Sequence, residues 1–219
     1  MYNALIYKEW LKIRWAFWGM TLLSLLVLTY ILLNLSYAME LMTPKGFWGY
    51  VILLNYPFFS DLQYIPVLAG IVLAFAQFSP EMNSSRLKLT MHLPVKENTL
   101  LLQMISIGFF LLLSLFIIVL ILLGTITGYY FPAEVVSFTL NSCFPWLVGG
   151  LAAYFLSATV IIEPIWSRRL VLIPFALGFI DLFVSTGNLH YQLQVFFLLA
   201  GLLASVLILF PAYHFKRGI

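Results

Sequence analysis

Long apolar runs separated by short polar islands set the organisation of this chain. A helix needs roughly 20 apolar residues to cross the hydrocarbon core of a bilayer. Runs near Ala16–Tyr37, Ile65–Phe78, Gln103–Ile126, Pro145–Ile162, Leu170–Val184 and Leu193–Tyr213 predict six such spans. The second and fifth are short on a strict apolar count, and their polar neighbours extend them as helix toward the interface. No low-complexity segment, long linker or internal repeat interrupts the pattern, so the chain reads as one all-α transmembrane domain over residues 1–219.

Two polar segments carry their own periodicity. In "MYNALIYKEWLKIRW", residues 1–15, Tyr2, Ile6, Trp10, Ile13 and Phe17 share a helical stripe, with Lys8 and Lys12 opposite. That pattern predicts an interfacial helix on the inner leaflet; the alternative is a plain extension of the first span. The second segment, "SSRLKLTMHLPVKENTL" (84–100), is the most polar stretch of the chain. Ser84 or Ser85 suits an N-cap, Leu87 and Met91 share a face, and Pro94 ends the helix by pushing Leu93 out of the helical region. A new helix is expected to start at Asn98 or Thr99 and run into the third span. The product is a short amphipathic helix within a cytoplasmic segment 80–98, with a membrane-hugging loop as the simpler alternative.

Composition agrees with the pattern. The chain of 219 residues is 63% hydrophobic and only 9% charged, against about a quarter charged in soluble domains. Ten of the eleven Lys and Arg residues fall on the side that holds both predicted termini, and only Lys45 falls on the other. The positive-inside rule then places both termini on the cytoplasmic side. A net charge of +3 spread this way reports topology rather than nucleic-acid binding. A cleavable signal peptide competes for the N-terminus, but the first apolar run exceeds a usual h-region.

Candidate chemistry is sparse. The single cysteine, Cys143, permits no intrachain disulfide, and His92, His190 and His214 lack metal-ligand spacing. No metal site or catalytic residue is predicted. Asp181 lies inside the fifth span, where a carboxylate normally faces a cavity or a partner; the alternative is that the span ends early and Asp181 meets water. Glu163, before Pro164, reads as an ion-pair partner for Arg168 or Arg169. Gly124 and Gly128 have the spacing of a close helix contact, and Trp48, Trp146 and Trp166 read as interface anchors.

The layout resembles the permease subunit of type-2 ABC exporters. The likeness rests on "YKEWLKIR" (7–14) and on Glu81, the Asn83-Ser84-Ser85 run, Leu87, Leu89, Leu93, Pro94 and Val95 after the second span. It implies six spans, an N-terminal elbow helix and a coupling helix seated on a separate ATP-binding subunit. Arg86, Leu87, Lys88, Leu89, Met91, Leu93 and Pro94 would make that contact. Glu163, Arg168 and Arg169 would add a second one, and Asp181 would face the path or the dimer interface. A second permease copy or a paralogue would complete the pathway. ATP and Mg would sit on the partner subunit, because this chain has no Gly-Lys dipeptide and so no P-loop. The chain departs from the pattern at "STGNLHYQLQ" (185–194), too short for long re-entrant helices, and at Gln103, where many members carry a basic residue. An ion-coupled secondary transporter and a non-transporting membrane subunit are the alternatives.

Overall fold

A computed structural model of the chain describes residues 2–41, 47–49, 51, 57–83 and 97–185. Five long helices dominate them: α1 (Tyr2–Leu41), α2 (Ile65–Asn83), α3 (Glu97–Tyr130), α4 (Ala133–Ile162) and α5 (Trp166–Ser185). A single 3-10 turn, Ser60–Leu62, precedes α2, and no strand occurs among the described residues. By length and composition, α1, α2 with its preceding turn, α3 and α4 can each cross a membrane. The class these helices define is a helical membrane protein. Helix α5 is 20 residues long and carries Arg168, Arg169 and Asp181. The sixth predicted span, Leu193–Tyr213, lies outside the described residues.

Residues 2–15 form the first turns of α1 rather than a separate interfacial helix, because α1 runs unbroken for 40 residues. At 1.5 Å per residue it is about 60 Å long, twice the hydrocarbon thickness. Its apolar stripe turns inward from Trp10 onward, while Ile6 stays exposed. Ile13 and Phe17 are buried among the other helices, and Trp10 packs edge-on to Phe17 with ring centroids 5.8 Å apart. The basic face is held as well: Lys12 turns inward onto two carboxylates.

Helix α4 begins at Ala133, twelve residues before the predicted start at Pro145. The polar residues that disguised it are satisfied within the helix. Ser137 donates to the Glu134 carbonyl and Thr139 to the Val135 carbonyl, each at 2.8 Å, so their hydroxyls need no water. Thr21, Ser24, Ser114 and Thr159 do the same in α1, α3 and α4. Helix α3 starts at Glu97, one residue before the predicted Asn98.

The centre of the bundle is the contact between α2 and α4, the most extensive among the described helices. Both run in the same direction: Phe59 meets Trp146, Pro66 meets Gly150, and Phe78 meets Tyr154. Glycine makes this closeness possible. A methyl group at Gly150 would lie 2.6 Å from the Pro66 carbonyl oxygen and 2.7 Å from the Phe116 ring. One at Gly70 would overlap the Gly150 carbonyl and lie 2.9 Å from the Tyr154 nitrogen. The Gly124/Gly128 pair, by contrast, stands at ordinary contact distance from Leu140 and Val136. Trp146 is also not an interface anchor. It is buried halfway along α4, whereas Trp48 and Trp166 are exposed.

Helices α1 and α3 pack on this pair, enclosing Leu28, Ile31, Leu73, Met104, Leu112, Leu115 and Leu123. Helix α5 lies on the outside of α4, docked through Ala176, Ile180 and Phe183, with Phe183 set against Gly149.

Candidate functional site

Among the described residues, the buried charge gathers at one end of the bundle, where α1 and α3 begin and α2 and α4 approach their ends. Glu9, Gln77 and Glu81 are each 1% exposed or less. Lys12 Nζ bridges the two carboxylates, 2.5 Å from Glu9 Oε1 and 2.6 Å from Glu81 Oε1. Lys8, on the turn of α1 before it, adds a second contact to Glu81 Oε1 at 3.0 Å from a half-exposed position. Two acids and two bases thus cancel inside one cluster, which is the condition for holding charges out of water.

Gln77 extends the cluster across the bundle. Its amide nitrogen donates to Glu9 Oε2 at 3.1 Å and to the Met104 carbonyl at 2.7 Å. Its oxygen accepts from the Tyr154 hydroxyl at 2.7 Å, and the Ile105 carbonyl lies 3.4 Å from the same hydroxyl. One amide therefore ties α1, α3 and α4 to α2. Gly108 leaves room for it, since a methyl there would overlap the Tyr154 hydroxyl and Gln77 Oε1. One atom of the cluster stays unsatisfied among the described residues: Glu81 Oε2 is buried without a hydrogen-bond partner there.

Replacing Tyr154 with Phe is expected to strand Gln77 Oε1 in the core. The cost should be about 1–3 kcal/mol, read as a lower thermal midpoint of the detergent-solubilised protein with its helical content unchanged.

The sequence-predicted residues fall in three places. Arg86, Leu87, Lys88, Leu89, Met91, Leu93 and Pro94 lie outside the described residues. Helix α2 delivers the chain into that segment at Asn83, two residues after Glu81, and α3 receives it at Glu97. Glu163, Arg168 and Arg169 do come together. The buried Glu163 carboxylate is 3.8 Å from Arg168 Nη1, while Arg169 donates to the Glu163 and Ile161 carbonyls at 2.5 and 3.2 Å. Arg169 thereby caps the end of α4, where a cation suits the free carbonyls. Asp181 belongs to neither cluster and sits on the exposed face of α5.

Sequence reading missed the Glu9–Lys12–Glu81–Gln77–Tyr154 junction. One signal was present: Glu9 and Lys12 sit three residues apart, one face of a helix turn. Nothing local marked Gln77 or Tyr154, which meet across 77 residues of chain.

Comparisons with protein-family models, with curated proteins and with solved structures give no match.

Proposed function

We propose that this chain is the membrane-embedded permease subunit of an ATP-driven exporter of the type-2 ABC kind. It would work as a dimer, with a second copy or a paralogue, in the cytoplasmic membrane and with both termini in the cytoplasm. ATP and Mg would be bound and used by a separate ATPase subunit. One observation carries the reading: the polar junction grips α2 at Glu81, immediately before the connection to α3. A push on residues 84–94 would reach α1 through Lys12, and α3 and α4 through Gln77. That is the mechanical property a coupling helix requires, since a displacement confined to one loop would not reorient the spans. The apolar character of the helices suits an amphiphilic or hydrophobic cargo.

Reversing charge at Arg86 and Lys88 together (R86E/K88E) is expected to abolish stable assembly with the ATPase while leaving membrane insertion intact. Co-purification yield against an immunoblot of the membrane fraction measures both. Wild-type yield in the variant would remove the coupling assignment.

Ion-coupled secondary transport is a second reading, favoured by the unpartnered, buried Glu81 Oε2. It requires transport driven by an ion gradient with no ATPase present.

A further inference from the structure

A groove of about 490 Å³ opens between α2, α4 and α5 at the same end of the bundle as the polar junction. That volume lies within the range of ordinary small-molecule sites. Its walls are mainly apolar: Phe75 and Met82 from α2, with Ser79 between them, Val160 and Ile161 from α4, Leu170 and Ile173 from α5. Its polar end is basic. Arg169 lines the groove, Trp166 stands at the rim, and the half-exposed Arg168 follows Ser167 on the same turn of α5. The nearby acid, Glu163, is buried and turned to Arg168, whereas Arg169 bonds only backbone carbonyls there, so two guanidinium groups lie near a single carboxylate, one lining the groove and the other on the residue before it.

From this arrangement we infer that the groove binds an anionic phospholipid, with the phosphate against Arg168 and Arg169 and an acyl chain along Phe75, Ile161 and Ile173. The groove's position supports this occupant. Two of its three walls, α2 and α4, belong to helices that can cross a membrane, and its one basic lining residue, Arg169, lies next to the end of α4 at Ile162. Apolar walls beneath a cationic mouth at the interface match an acidic headgroup above a hydrocarbon tail. Arg169 is already committed to two carbonyls through Nε and Nη2, so it presents the remaining edge of a guanidinium fixed in place. Arg168, held only at 3.8 Å by Glu163, is the more adaptable of the two. This inference does not depend on the transport reading.

The test uses the full chain, delipidated in mild detergent and titrated with phosphatidylglycerol or phosphatidylcholine, with bound lipid counted by native mass spectrometry. Two variants separate the headgroup from the tail: Arg168→Gln removes a charge, and Ile173→Trp fills the groove from an exposed position. The wild type should retain phosphatidylglycerol over phosphatidylcholine. Arg168→Gln should weaken that retention about fivefold, the loss of one basic contact to an anionic lipid. Ile173→Trp should abolish it. Equal retention of the two lipids by the wild type, or unchanged phosphatidylglycerol retention in either variant, would overturn the assignment.

Discussion

Replacing Lys12 with Met is expected to destabilise the protein by about 3–5 kcal/mol, the usual cost of removing one partner from a buried ion cluster. Lys12 Nζ is the shared cation of Glu9 and Glu81, within 2.6 Å of both, and its side chain is only 14% exposed. Without it, among the described residues, Glu9 keeps only the Gln77 amide, and Glu81 keeps only Lys8, a half-exposed side chain. Two carboxylates would then share an interior that solvates neither. The same variant separates geometry from charge. Neutralising the three buried members with Glu9→Gln, Lys12→Met and Glu81→Leu, which leaves only the half-exposed Lys8 charged, should recover most of the loss, because replacing buried ions with well-packed neutral groups is often close to neutral in stability. Chemical or thermal unfolding in detergent compares the two. A Lys12→Met protein within about 0.5 kcal/mol of wild type would contradict the junction, since that is the scale of an ordinary surface substitution.

Gly150→Ala should be nearly as damaging, at about 3 kcal/mol or more, the upper end of what overpacking costs. The added methyl would press on the Pro66 carbonyl oxygen at 2.6 Å and the Phe116 ring at 2.7 Å. The oxygen belongs to the backbone of α2 and cannot rotate away, so α2 and α4 would have to separate. Helices in a membrane associate through close packing rather than exclusion of water, so that separation removes the main attraction between them. Gly178→Ala provides the contrast on α5. A methyl there meets nothing within 4 Å, and removing a helical glycine should stabilise by about 0.5–1 kcal/mol. The pair of variants, measured side by side, separates packing from helix propensity.

The membrane helices were readable along the chain because an apolar run of spanning length marks a helix suited to hydrocarbon whether its side chains meet lipid or protein, as in α3, whose most apolar window is only 28% buried. The third span and the start of α3 at Glu97 fell close to expectation. The start of α4 did not, because serine and threonine look polar in a list of residues but bond to their own helix carbonyls in place. The elbow expectation for residues 2–15 had a physical cause as well. A stripe of Ile13 and Phe17 beside Lys12 reads the same whether the apolar face meets lipid or protein, and only the distant Glu81 and Gln77 decide between them. The Glu163–Arg168 pairing was legible because its members are five residues apart. The junction was not, since Glu9, Gln77 and Tyr154 gather from three helices with no spacing in common. Glycine showed the same limit. The spacing of Gly124 and Gly128 suggested a close contact, yet the closest approaches lie at Gly70, Gly108 and Gly150, whose neighbours come from other helices.

The proposal that this chain is a permease driven by a separate ATPase is tested most directly by affinity purification from native membranes in mild detergent, with identification of co-purifying subunits and an ATP-hydrolysis assay. The account predicts a stoichiometric P-loop ATPase with hydrolytic activity in the purified complex. The chain purifying alone, under conditions that retain the subunits of a known ATP-driven transporter, would contradict it.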